Sequence, residues 1–161
     1  MEKVYIGKVV NTHGIKGEFR IKSDFELKSR VFLIGKNVFI DNAFYKIASY
    51  RVHKGYDMIT VEGLNDINQV LSFKNKSVFV ERESLELKDN EYLIEDYIGC
   101  DVVLNCETVG KVVNYSGGIN PLLEVKGDKH FFIPLKAMFI VRFDKGMKVL
   151  VVDDSARGLM L

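Results

Sequence analysis

An all-β protein of two small β-barrels is what the sequence predicts, on three observations. Strand-length segments that alternate apolar and polar residues recur along the chain, and Gly, Asn and Asp stand between them. A charged stretch near the middle divides the 161 residues into halves of about eighty. Small all-β units of that size close on themselves to remove exposed strand edges, which favours barrels. Hydrophobic residues make up 47% and charged residues 28% of the chain, the composition of a folded protein with a buried core.

The first strand starts in "KVYIGKVV" at Lys3 and is expected to end near Asn11. In "HGIKGE", Gly14 and Gly17 read as turn residues that permit positive φ or close backbone approach before the next strand. "GEFRIKS" follows, with Glu18, Arg20 and Lys22 on one face and Phe19 and Ile21 on the other. In "YRVHKGY", Tyr50 to Tyr56, the same alternation sends Tyr50 and Val52 to one face and Arg51 and His53 to the other, so half of this segment is expected in the core. Further strands are expected at Asp57 to Gly63 and Ser77 to Glu81, then at Lys111 to Tyr115, Leu122 to Val125, His130 to Ile133 and Met147 to Val152.

One segment reads as a short helix in the first barrel. "LNDINQVLSFKNK" sets Leu64, Ile67, Val70 and Leu71 on one stripe, with Asp66 placed to cap and Gln69 three residues on. Lys74 and Lys76 near its end would suit the negative pole of the helix dipole. Its expected role is to plug the barrel.

"ERESLELKDNE", Glu81 to Glu91, has the make-up of a solvated connector, giving domains 1–83 and 89–161 joined by residues 84–88. Beyond it, "EYLIEDYIGCDVVL" is expected to pass through one tight turn at Ile94 to Ile98 into a strand, with an exposed Tyr92 or Leu93 as a contact patch and simple domain packing as the alternative. "YSGGINPLLEV" carries a Gly-Gly turn and a rigid Asn120-Pro121 corner that can be presented outward.

Net charge is only +1, but it is unevenly spread. Met1 to Glu83 holds 14 Lys and Arg against 10 Asp and Glu, and Ser84 to Leu161 holds 9 against 12, so the halves are +4 and −3. The first 54 residues hold 11 basic against 5 acidic side chains, a surplus of six that biases this surface toward an anionic partner. Tyr50, Arg51, His53, Lys54 and Tyr56 mix rings and cations as single-strand nucleic-acid binders do.

The chemistry of the common enzyme classes is missing. "HGIKGE" has neither G-x-G-x-x-G spacing nor GK[ST], and His13, His53 and His130 accompany no Ser-x-Gly elbow, HExxH helix or carboxylate pair. Cys100 and Cys106 cannot complete a tetrahedral zinc site and are expected as small buried or half-buried side chains. No metal or cofactor is expected. The longest apolar runs, such as "VLVV" at Val149, are far short of the ~20 residues of a membrane span, and the N-terminus lacks the apolar core of a secretory signal, so a cytoplasmic location is expected.

Taken in order, "IGKVVNTHGIKGEFRI", "YRVHKGYDMITVEGLNDINQVLSFKNKSVFV", "EYLIEDYIGCDVV", "VGKVVNYSGGINPLLEV" and "FIPL" are similar to the RimM family of ribosome maturation factors over nearly the whole chain. The resemblance implies a six-stranded barrel like those of translation factors, followed by a PRC barrel. It also implies a non-enzymatic factor, expected as a monomer, that binds the head protein numbered nineteen of the small ribosomal subunit and promotes maturation of the small-subunit rRNA on immature particles. Its N-terminal loop motif falls on His13 to Glu18. Together with the basic positions Lys16, Arg20, Lys22, Arg51, His53 and Lys54, this gives the expected rRNA-facing surface. The ribosomal-protein surface is expected at Tyr92, Leu93, Asp96, Gly118, Ile119, Asn120, Pro121 and Leu122. Leu93 and Pro121 depart from the family pattern, which more often has a second aromatic and an Asp there. The closing "RGLML" resembles a family tail expected to pack on the second barrel. A general RNA-binding module and an rRNA-modifying enzyme are the alternatives.

Overall fold

A computed structural model of the chain describes residues 2–161, which separate into two compact units, one through Asp89 and one from Asn90 to Leu161. Both are built from strands. Among the described residues no helix is long and apolar enough to cross a membrane.

The first unit is a closed six-stranded barrel. Its strands are β1 (Lys3–His13), β2 (Glu18–Lys22), β3 (Asn37–Ile40), β4 (Ala43–His53), β5 (Tyr56–Val61) and β6 (Ser77–Glu81), arranged β1-β2-β5-β4-β3-β6 around the ring. Two strands are long, and each serves both sides of the barrel. The first half of β1 pairs with β6 and the second half with β2; β4 pairs with β3 through Lys46 and with β5 from Ile47. Bulges at Tyr5/Gly7, Val9/Asn11 and Ile47/Ser49 accommodate the change. Inside lie Val4, Ile6, Val9, Phe19, Ile21, Val38, Ile40, Ile47, Ile59, Val61, Val78 and Val80, all buried.

The expected alternation of β2 is present: Phe19 and Ile21 are buried, and Glu18, Arg20 and Lys22 face outward. The β4 reading needs correction. Val52 is 64% exposed, and it is Asp57, its cross-strand partner, that is buried. Asp57 is buried and is satisfied there by Tyr50, whose hydroxyl donates to it at 2.6 Å, and by Lys28 Nζ at 2.7 Å. Lys28 belongs to a one-turn helix α1 (Lys28–Val31) that the sequence reading did not anticipate; next to it Phe32 stacks nearly parallel on Tyr50, with centroids 5.5 Å apart. Burial, then the bond to Asp57, pushes the Tyr50 phenol up to about 12.

The expected plug is present but shorter. Helix α2 spans Ile67–Val70 and continues as a 3-10 turn, Leu71–Phe73. Asp66 accepts from the Asn68 amide while the Gln69 side chain accepts from the Asp66 amide, so the sequence-level cap is made. Leu71 is half exposed, and Phe73 enters the core in its place, edge-on to Phe19 and Tyr45. Neither lysine sits in the last turn of α2, and Lys76 pairs instead with Asp41.

The expected linker is not a free connector at its start. Residues Arg82–Leu85 form a 3-10 turn with Leu85 buried, and Lys36 and Arg30 donate to the carbonyls of Ser84 and Leu85.

The second unit is one six-stranded sheet wrapped on a single core. Its strands β7 (Asp101–Leu104), β8 (Glu107–Ser116), β9 (Leu122–Lys126), β10 (His130–Pro134), β11 (Ile140–Asp144) and β12 (Val149–Val152) run in the order β10-β9-β8-β7-β12-β11, antiparallel except for β12 beside β7. Val102, Leu104, Val112, Leu123, Val125, Phe131, Ile133 and Leu150 fill it. The C-terminal segment forms a 3-10 helix, Asp154–Met160, that packs along β10 with Ala156 buried, while Leu161 is fully exposed. Cys106 is exposed in the β7–β8 turn, where Asn105 and Cys106 both take positive φ; only Cys100 is buried.

Candidate functional site

The second half of β1, the whole of β2 and β5, and the second half of β4 form one wall of the first barrel, and its outer face carries most of the basic residues singled out in the sequence. Register fixes their neighbours. His13 stands opposite Glu18, Arg20 and Arg51 flank Met58 from either side, and His53 stands opposite Tyr56. Strands place these side chains together although they come from segments far apart in sequence, which is why no local pattern reveals the cluster.

The cluster is wired. Arg51 grips Glu18 with two hydrogen bonds, Nε to Oε2 at 2.9 Å and Nη2 to Oε1 at 2.7 Å. Arg20 donates to His13 Nδ1 at 2.9 Å, so Nδ1 is the acceptor. The Arg20 guanidinium lies 6.0 Å over the Tyr56 ring, and the rings of His13 and His53 face each other at 5.4 Å. Hydrogen bonding from Arg51 outweighs burial and, with the charges of Arg51 and the two histidines, holds the Glu18 carboxyl below its ordinary range. Loss of hydration, followed by the charges of Arg51 and Lys54, lowers His53 below its ordinary value.

Beside this network the loop between β1 and β2 walls a shallow cleft of about 500 Å³ lined by His13, Gly14, Ile15, Lys16, Glu18, Arg51 and Thr60. Gly14 and Gly17 have φ of +67° and +89°, as the turn reading required. Gly17 is also packed: a Cβ there would lie 2.5 Å from the Leu64 carbonyl oxygen. The Ile67 amide donates to the Ile15 carbonyl, which ties the loop to the start of α2. Lys54 is exposed in the β4–β5 hairpin turn next to His53. Lys22 continues the outer face at the far end of β2, opposite Lys8, and takes no part in the network.

The second unit does not gather its candidate residues into one site. Leu93 is 1% exposed and therefore lines the core; the expectation of an exposed contact there is corrected, because the adjacent 3-10 turn Ile94–Tyr97 rotates Leu93 inward. Asp96 is the cap of that turn, accepting from the Leu93 amide at 2.8 Å, with Lys145 Nζ 3.6 Å away. Tyr92 is half buried and packs edge-on against Phe143. These three residues hold the start of the unit together.

The turn after β8 is different. Gly118 has φ +92° with open space around it, Ile119 is 97% exposed, and Asn120 is exposed. Pro121 closes the turn, its carbonyl accepting from the Leu135 amide at 3.0 Å, and Leu122 opens β9 half buried. On the adjoining outer face Glu124 bonds His130 at 2.6 Å and Phe132 is exposed. Among the described residues no group of three or more His, Cys, Asp or Glu could hold a metal ion.

Comparison with known proteins places this chain in a family. Residues 4–85 match the model of the RimM N-terminal domain. The chain is 37% identical over 158 residues to a ribosome maturation factor RimM of Staphylococcus aureus, covering 93% of this chain and 95% of the relative, and 40% identical over 151 residues to that of Staphylococcus saprophyticus, covering 88% and 90%. A solution structure of the N-terminal domain of RimM from Thermus thermophilus is similar at 16% identity and a TM-score of 0.46, covering 53% of this chain and 95% of that one. Half of the chain matched by the family model, together with relatives above 30% identity along most of its length, means that this chain belongs to the RimM family.

Proposed function

We propose that the protein is a non-enzymatic assembly factor of the small ribosomal subunit. The observation that carries this reading is the wired outer wall of the first barrel, where Arg51 grips Glu18 and Arg20 holds His13, with Lys16 and Lys54 in the adjoining turns, in a chain whose relatives are named ribosome maturation factors. Such a face offers phosphate-binding guanidinium groups held in fixed positions, which suits the backbone of structured rRNA. The second unit, which carries the acidic surplus, would hold the basic head protein numbered nineteen, with the turn Gly118 to Leu122 as its outward contact and Tyr92 at the margin.

The work done is binding. Holding a ribosomal protein and the adjoining head rRNA in a docking-competent arrangement lowers the ordering cost of assembly, and native contacts then displace the factor. A monomer acting in the cytoplasm without cofactor is sufficient for this.

The test is capture of immature small subunits on immobilised protein, with mature subunits as control. Preferential retention of the immature particles is expected, and its loss when Arg20 and Arg51 are both changed to Ala. Equal retention of both particles overturns the reading. So does binding of arbitrary RNA with a steep salt dependence and no affinity for the ribosomal protein, which describes a general RNA binder. A chemical change in rRNA that depends on His13 and Lys16 while particle binding persists would identify an enzyme instead.

A further inference from the structure

The other wall of the first barrel carries a feature that folding does not require. Its strands already supply the core through Val4, Ile6, Val38, Ile40, Val78 and Val80, and their outward positions are free to be polar. Yet four aromatic residues stand in one row across four strands: Tyr5 of β1 opposite Phe79 of β6, Phe79 opposite Phe39 of β3, and Phe39 opposite Phe44 of β4. Three strand spacings give the row a length of roughly 14 Å. Tyr5 and Phe79 meet edge-on at 5.9 Å, as do Phe39 and Phe44 at 4.9 Å. The two ends are the most open, Tyr5 at 48% and Phe44 at 41% exposure.

Cations border the row. Lys3 Nζ sits 4.1 Å over the Phe39 ring, Lys8 lies opposite Ser77, and Lys46 lies opposite Asn37, two positions along β4 from Phe44. None of these three lysines forms an ion pair among the described residues. Acidic groups nearby are Glu81, opposite Lys3, Asp41, paired with Lys76, and Glu62, whose amide donates to the Lys46 carbonyl. An exposed ring at either end of a sheet face with unpaired ammonium groups alongside is complementary to a polyanion with exposed π-faces.

We infer that this aromatic row is a stacking platform for unpaired bases of single-stranded RNA, with Tyr5 and Phe44 as the ring faces offered and Lys3, Lys8 and Lys46 neutralising the passing phosphates. It is a second RNA contact, separate from the Arg20 and Arg51 wall, and does not depend on it. A protein partner is disfavoured because an apolar docking surface depletes lysine at its centre, whereas Lys3 sits over the middle of this row.

The chain contains no Trp, so Phe44→Trp introduces a single reporter into the full-length protein. Titration with a mixed-sequence oligoribonucleotide of about ten nucleotides, roughly one single-strand site, at low salt should quench that fluorophore saturably, and the same sequence as a duplex should not. Tyr5→Leu should weaken single-strand binding about ten-fold, the size of one lost stacking contact, while circular dichroism stays that of the parent. Any of three results overturns the inference: no quenching at oligonucleotide concentrations up to the millimolar range, a folded Tyr5→Leu with parental single-strand affinity, or Tyr5→Leu losing affinity only for a ribosomal protein, which makes the row a protein-docking face. None of these outcomes bears on whether immature subunits are retained through Arg20 and Arg51, so the two readings fail separately.

Discussion

The turn after β1 and the turn after β8 are both glycine-bearing loops that present side chains outward, and they are built in opposite ways. The first is locked: Gly17 lies against the Leu64 carbonyl, Ile15 is bonded to Ile67, and His13 and Glu18 at its two ends are held by Arg20 and Arg51. The second is tied at its exit, through Pro121, and hangs Ile119 in solvent. A recognition surface fixed before binding loses little entropy when it docks, whereas a loose one must be ordered by its partner. The first loop thus fits a rigid polyanion, and the second fits a partner that folds around it.

That contrast breaks most visibly at the two glycines. Gly17→Ala is expected to cost about 3 kcal/mol or more, since it combines a backbone clash with a left-handed φ, whereas Gly118→Ala meets open space and should cost about 1 kcal/mol. Urea unfolding of both variants measures the difference, and equal losses would mean that the first loop is not locked.

Next in size is Leu93→Ala, a core truncation expected to remove about 2–5 kcal/mol, against a change within about 0.5 kcal/mol for Ile119→Ser. Only the second substitution can then report on partner binding. If Ile119→Ser left affinity for the ribosomal protein unchanged, the open loop would not be the contact.

Smaller is the effect of Arg51→Ala. An exposed ion pair contributes at most about 1 kcal/mol, so melting should barely move, yet capture of immature subunits should fall several-fold because a positioned guanidinium is gone. A large melting shift with intact capture would make Arg51 purely structural.

The smallest expected effect is on pH. Because His53 titrates below its ordinary value in the folded protein, this group favours folding at pH 7 and withdraws that contribution as the pH falls through the histidine range. A phosphate bound beside it reverses the preference, so RNA affinity should rise a few-fold from pH 8 to pH 6. His53→Asn should flatten that rise; an unchanged profile would remove His53 from the contact.

Much of this could be read from residues alone. Phe19 and Ile21 alternate cleanly with charged neighbours, and Asp66 with Gln69 writes a helix start directly into the sequence. Strands β3 and β4 were harder, since the Asp41-Asn42 turn is not a familiar hairpin dipeptide and the bulge at Ile47/Ser49 shifts the alternation partway along. Long-range register was not legible at all. Glu18 meets Arg51, and Tyr5 lines up with Phe44, only once the ring of six strands closes. Leu93 could be assigned neither to packing nor to contact for a related reason: "EYLIEDY" contains adjacent apolar residues, and only the turn that follows decides which of them points inward.

The doubled service of β1 and β4 has a practical outcome. Because each contributes one half to the charged wall and the other to the aromatic wall, no fragment can carry one surface intact. Peptide dissection would yield pieces with orphaned backbone along every cut, so assigning a task to either side must proceed by exchanging individual side chains on the whole ring.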